Sequence, residues 1–315
     1  MNPLEHINML KCLLADINSI LKKHSISQIS IEHITVTDNS VIGIDKPDKP
    51  LSSLIIPISI EHIIVTNDSV TGIDKPNKSL SSLIIDKIWP SVESATVFHY
   101  TSKDKAESIL NSGNIRLYSI LKRYTDDEVS AFCKAHSLNG YLEKDTNGQE
   151  LYKTLIMPNT FYSSFTTTTV TPNQEEYFWR TFAANDGVRL KIAVKASHPD
   201  FRRIVYPKKD GNPLPILFEL THMIREEYQR EFILKGISRL CAFYLSKQYE
   251  IESEFRMLHR YCGLGPKPMN DGEFDFIEVP LGSMSELGYQ LNIIEIQTNE
   301  TLQIPLNYHV VRRNS

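Results

Sequence analysis

The sequence predicts a two-part chain: an N-terminal helix with a duplicated β-rich module over residues 1–90, then an α+β domain over 91–315. Three observations carry this reading. A 29-residue unit occurs twice in tandem before residue 90. After residue 91, short alternating or apolar runs read as strands. The amphipathic stretches between them do not follow the regular strand–helix alternation of a parallel sheet. A length of 315 residues suits two domains, and 13 Phe and 14 Tyr suffice to fill a core.

Taken in order, residues Pro3 to Lys23 form the first predicted helix. Leu10, Leu13, Leu14, Ile17, Ile20 and Leu21 recur at helical spacing, Pro3 suits a first turn, and Lys22 and Lys23 favour a C-terminal end. The tandem unit follows. Ile29–Ile56 and Ile58–Ile85 match at 22 of 28 aligned positions. Each copy reads as strand, polar turn, strand, turn and a short Ser-Leu-Ile-Ile strand. Two copies fall short of a solenoid, so the pair is expected to form a small β-rich appendage that recognises a partner or target. His33 and His62 are equivalent positions within it, read as surface or cross-strand side chains.

After Pro90 the character changes. Val97–Ser102 reads as a strand running into a helix, with Ser102 as N-cap, Ala106, Ile109 and Leu110 as the buried stripe, and Gly113 as terminator. His99 and Tyr100 therefore stand near a strand end, a common position for ligand-facing side chains. Asn114–Tyr118 is a second strand, and 122–148 a polar loop with a short helix. Thr160–Val170 has strong β character, Asn173–Phe182 is helical, and Asp186-Gly187 turns into the strand Val188–Val194. Trp179 reads as core. Ile216–Lys247 is the longest helical region, interrupted at Gly236. The strands 274–279, 292–297 and 308–311 close the chain.

Between them lies Tyr249–Leu258, where alternation places Glu252, Glu254 and Arg256 on one face of a strand and Ser253, Phe255 and Met257 on the other. Such a charged face is costly to bury unless its charges pair with one another or with a ligand.

A net charge of −4 gives no overall attraction to nucleic acid or anionic membrane, and leaves room for a local basic groove. Arg202, Arg203, Lys208 and Lys209 are the densest basic cluster of the second half, and Lys208 and Lys209 read as a solvated loop. Cys12, Cys133, Cys241 and Cys262 are scattered, with no metal-ligand spacing, and suit reduced thiols. No metal site is expected. No run of 18 apolar residues exists, and the first helix carries Glu5, Lys11 and Asp16 without a basic start, so neither a membrane span nor a secretory signal is expected.

Three stretches together resemble a large bacterial family of undetermined function. They are His99-Tyr100-Thr101 with its Ile109-Leu110…Gly113 helix, Ser163-Ser164-Phe165 with Trp179 and Gly187, and Glu252-Ser-Glu-Phe-Arg256. That family looks like a divergent branch of the ADP-ribosyltransferases, and the resemblance spans about residues 96–260. It implies a split, mixed or antiparallel sheet with inserted helices, NAD as substrate, and transfer of ADP-ribose to a protein or nucleic-acid acceptor.

By resemblance, Glu254 is the catalytic carboxylate and Glu252 the companion that engages the acceptor. His99, Tyr100 and Thr101 border NAD, Ser163 or Ser164 orients it or buttresses the Glu, and Arg256 orders the carboxylates. Arg116 or Arg180 would meet the diphosphate. The chemistry fits these types, because cleaving the nicotinamide–ribose bond builds positive charge that a fixed carboxylate stabilises. The setting implied is a toxin, effector or phage-defence protein in a bacterial cytoplasm or a host cytosol. A neutralising or chaperone protein would bind the N-terminal module, with no membrane partner. NAD hydrolysis without an acceptor, or a binding protein that kept the fold and lost the chemistry, are the alternatives. The chain departs from the family in two places. Thr166 stands where a Ser is usual, and Thr125-Asp-Asp-Glu128 replaces an Asn-Asp-x-x-Glu segment, so no role is carried over to Asp127 or Glu128. No Gly-x-Gly-x-x-Gly fingerprint supports a Rossmann site.

Overall fold

The computed structural model of the chain describes residues 3–29, 34–36, 63–65, 78–123, 128–137, 141–209, 212–229, 237–263, 265–303, 308 and 310–312. In chain order the elements begin with α1 (Pro3–Lys23), β1 (Ile34–Val36), β2 (Ile63–Val65), β3 (Lys78–Ser79) and α2 (Leu80–Ile88). Next come β4 (Ser94–Thr101), α3 (Lys103–Ser112), β5 (Asn114–Ser119), α4 (Glu128–Ala135), β6 (Thr160–Thr167), α5 (Pro172–Phe182), β7 (Val188–Ala196) and β8 (Phe201–Arg203). The chain continues through α6 (Pro215–Tyr228), α7 (Ile237–Leu240), β9 (Glu254–Arg260), β10 (Met269–Asn270), β11 (Asp275–Pro280), β12 (Tyr289–Thr298) and β13 (Val310–Arg312). These fall into two compact units, residues 1–90 with 213–237, and residues 91–212 with 238–315. The segment 213–237 thus groups with the N-terminal part, although it lies inside the range expected for the C-terminal domain.

In the first unit α1 packs on α6. Leu13, Leu14, Ile17 and Leu21 of its stripe are fully buried, each contributing about 1.5–3 kcal/mol against exposure. The buried Asn18 amide is satisfied by the returning chain, donating to the Ile29 carbonyl and accepting from the Ile29 N–H, both at 2.7 Å. β1 and β2 are the same segment of the two repeat copies. They pair antiparallel with Ile34 opposite Val65, Thr35 opposite Ile64 and Val36 opposite Ile63, about a local two-fold at Thr35 and Ile64. β3 adds a third strand. The Ser-Leu-Ile-Ile run of the second copy, expected to be a strand, is part of α2 instead. Apolar residues at 80, 83, 84 and 88 follow helical spacing once the run is read on through Asp86 and Lys87. His33, His62 and most of both repeats lie outside the described residues.

The second unit is α+β, with a ten-stranded, open, mostly antiparallel sheet. β12 and β13 form its parallel pair. The main order is β10-β11-β5-β6-β4-β7-β12-β13, with β9 on β6 and β8 on β9. β6 organises it. Residues Thr160 to Thr166 pair with β9 on one edge. On the opposite edge Phe161 and Tyr162 pair with β5, and Thr166 and Thr167 with β4. β4 and β5 therefore diverge, and residues 163–165 face the gap between them. Val97, Leu190, Ile192, Phe161, Phe165, Phe255 and Met257 form the apolar core on one face. On the other, Phe98 and Tyr100 pack with Phe178, Trp179 and Ala183 of α5 and its end. Trp179 is core, as its sequence context indicates.

Caps follow the sequence with one exception. Gly113 ends α3 at φ 68°, its N–H bonding the Ile109 carbonyl, while Ser102 occupies the N-cap position without a side-chain capping bond. Thr171 and Gln174 close a reciprocal capping box on α5. Among the described residues no helix is long and apolar enough to cross a membrane.

Candidate functional site

A cavity of about 540 Å³ lies within the second unit, walled by β4, α3, β5, β6, α5 and β9. Alternation along paired strands puts Tyr162, Ser164 and Thr166 of β6, Glu254 and Arg256 of β9, and Phe98 and Tyr100 of β4 on one face. Glu254 lines the cavity from this face and is 4% exposed. Its Oε1 accepts a short hydrogen bond from the Ser164 hydroxyl and one of 2.7 Å from Arg256 Nε. Its Oε2 meets Arg256 Nη2 at 3.4 Å, longer than a good charge-assisted bond. The Glu254 N–H donates to the Tyr206 hydroxyl at 3.1 Å. Burial, then the Glu254 charge, pushes the Tyr206 phenol well above its usual pKa, so Tyr206 stays a neutral support.

Arg256, 2% exposed, is held from several sides. Nη1 donates to the Ala242 carbonyl at 2.5 Å and to Glu128 Oε2 at 3.3 Å, and the guanidinium lies 4.3 Å over the Tyr162 ring. Burial works against this charge, and Glu254 and Glu128 more than offset it, so the guanidinium is held above its usual pKa. All three guanidinium nitrogens are engaged, which a lysine with its single nitrogen could not reproduce.

His99 belongs to the opposite face by alternation, yet it reaches the gap beside β6. Its Nδ1 lies 3.0 Å from the Ser164 carbonyl. A carbonyl only accepts, so Nδ1 carries the proton. The ring packs 5.5 Å from Phe165. Tyr100 packs against Phe178 and Trp179 at ring separations of 5.4 and 5.3 Å, and its hydroxyl lies 3.4 Å from Arg189. Thr101, buried at the end of β4, borders the cavity.

The expectation for Glu252 needs correcting. Residues 247–252 form a 3₁₀ helix, not a strand, and Ser253 adopts a left-handed conformation, φ 43° and ψ 48°. The strand begins at Glu254. This reversal takes Glu252 off the face shared by Glu254 and Arg256. The corner is fastened to α5 by Gln174, whose amide donates to the Ile251 carbonyl at 2.9 Å. Glu252 still lines the cavity, accepting from the Tyr177 hydroxyl at 3.2 Å. Burial, then Glu252, raises the Tyr177 pKa.

Of the two serines, Ser164 carries the bond to Glu254. Ser163 sits opposite Met257 with the apolar side chains and borders the cavity at the gap. Thr166 faces the site, and its buried hydroxyl has no hydrogen-bond partner among the described residues. Arg116 lines the cavity with Lys105 and Lys122; it pairs with Glu278 at 3.3 Å and stacks 4.1 Å from the Phe276 ring. Arg180 is exposed on α5, away from the cavity wall.

Glu128, Tyr206 and the Ala242 carbonyl escaped sequence reasoning. Glu128 alone left a signal, as the acidic residue ending the Thr125-Asp-Asp-Glu segment; Asp127 lies outside the described residues. The chain matches no protein-family model, no curated protein and no solved structure.

Proposed function

We propose that this protein is an NAD-dependent ADP-ribosyltransferase acting on a protein or nucleic-acid acceptor, with Glu254 as the catalytic carboxylate and the second unit as an ADP-ribosyltransferase-type fold. One observation carries the reading: a buried carboxylate in a cavity wall, clamped through one oxygen by Ser164 and Arg256, with the other oxygen more loosely engaged. The divergence of β4 and β5 beside His99, and the cations Lys105, Arg116 and Lys122 along the cavity, support it.

In this mechanism the nicotinamide–ribose C–N bond breaks and its electron pair leaves with nicotinamide. Glu254 Oε2 binds a ribose hydroxyl and stabilises the positive charge building at the anomeric carbon. His99, fixed by the Ser164 carbonyl, and Tyr100 and Thr101 orient the nicotinamide side. Lys105, Arg116 and Lys122 meet the diphosphate. The acceptor's nucleophile bonds to the anomeric carbon and gives its proton to Glu252.

The test is incubation of wild type and Glu254→Gln with labelled NAD and a bacterial lysate. Wild type should transfer label, and the variant should be slower by about 10²-fold or more. Nuclease or protease sensitivity of the label then assigns the acceptor. Nicotinamide release without label transfer would replace the transferase by a hydrolase. Absence of both NAD turnover and an NAD-dependent thermal shift would sink the enzyme reading.

A further inference from the structure

We infer that Glu128 is a positioning residue that keeps Arg256 from closing on Glu254, so that Glu254 Oε2 and the negative charge of the Glu254–Arg256–Glu128 cluster remain available to the reacting ribose. The inference rests on the reading of Glu254 as the catalytic carboxylate. Its basis is the asymmetry of the guanidinium. Arg256 Nε approaches Glu254 Oε1 at 2.7 Å, while Nη2 stays 3.4 Å from Oε2. Arg–carboxylate pairs frequently close both bonds of the fork. Here the far end is drawn off: Nη1 is held most closely by the Ala242 carbonyl, at 2.5 Å, and beside it by the charge of Glu128, whose Oε2 lies 3.3 Å away.

Charge argues the same way. Arg256 and Glu254 alone would form a neutral buried pair, with little to offer a cationic ribose. Glu128 stands on the same cavity wall with its side chain 15% exposed, making two carboxylates about one guanidinium. In so little water each charge is weakly screened. Its place in the first turn of α4 suits a carboxylate, because helix N-termini favour negative charge. Glu128 thus acts through Arg256, without bonding the substrate.

The experiment compares wild type, Glu128→Gln and Glu128→Asp in NAD turnover, with a crystal structure of Glu128→Gln. Loss of the charge should lower kcat about tenfold or more with KM for NAD within twofold, the signature of an interaction made in the transition state. Glu128→Asp should recover most of the rate. In the crystal, Arg256 Nη2 should close on Glu254 Oε2 to about 3.0 Å. An unchanged kcat in Glu128→Gln, or a rise in KM alone, would overturn the inference and leave the transferase reading intact. If wild type itself turns over no NAD, the functional reading fails instead. The crystal then decides the positioning role: closure of the fork supports it, and an unmoved Arg256 refutes it.

Discussion

At Arg256, one buried guanidinium meets the buried Glu254, the part-buried Glu128, a backbone carbonyl and an aromatic face. Electrostatics fixes the sign of its removal. Arg256→Met would leave the buried Glu254 and the part-buried Glu128 as neighbouring carboxylates with no cation between them. Removing one partner of a buried pair costs about 3–5 kcal/mol, mostly the penalty of the stranded charge. The variant should lose roughly that much in urea unfolding at neutral pH. The double variant Arg256→Met/Glu128→Gln, with one carboxylate fewer to strand, should regain part of it. Equal stability of the two variants would show that the loss of Arg256 does not strand the Glu128 charge. The pairing itself was foreseeable, because a run of Glu, Glu and Arg in a strand must find partners to be buried. The third partner was not, since Glu128 is more than a hundred residues away in sequence and nothing in its own segment indicates which strand it meets.

The elements show where periodicity reads well and where it fails. Every strand predicted after residue 91 exists, because apolar alternation and β-branched residues leave few other options. What alternation missed is the corner at Ser253: Ser is not a residue that advertises a left-handed turn, and one such residue reverses the facing of everything before it. That single dihedral moved Glu252 off the strand while leaving it in the cavity. A milder case is the turn after α5. The Asp186-Gly187 pair suggests a turn that needs glycine's freedom, yet the left-handed residues are Ala184 and Asn185, at φ 49° and 70°. Gly187 is required for a different reason. A Cβ there would lie 2.3 Å from the Thr101 carbonyl oxygen and 2.5 Å from that of Ala183. Its own carbonyl accepts from Thr298 at 2.9 Å. The residue is thus the point where β4, β7 and the end of α5 close together. Gly187→Ala should destabilise by about 1–3 kcal/mol, the usual range for a forced backbone shift, whereas Ala184→Gly should raise the thermal midpoint. A neutral Gly187→Ala would mean that the three elements can separate without cost.

At the scale of the whole molecule, the boundary after Pro90 was legible as a change from repeated, near-identical sequence to varied sequence. The return of residues 213–237 to the first unit was not, because an amphipathic helix announces that it needs a partner and does not say which one. Ile216, Leu217, Leu220 and Ile224 of α6 are buried, and α1 packs on the same helix. Its polar face is tied to α1 as well, with Lys23 bonding Glu219 at 2.9 Å and the Tyr228 hydroxyl bonding Asp16. Removing residues 1–90 therefore does not yield a clean domain: it uncovers an apolar helix, and such patches drive association. A chain of residues 91–315 should elute as aggregates in size-exclusion chromatography. Excising 213–237 as well should cure this. Tyr244 bonds the Asn212 carbonyl at 2.9 Å, which holds one end of the excision beside the segment that follows the other, so a short Gly/Ser linker can join them. The doubly trimmed chain should be monomeric and retain the buried Glu254–Arg256 pair. If the single truncation is already monomeric and as stable as the double one, α6 does not depend on the N-terminal residues, and the grouping of 213–237 with them carries no energetic weight.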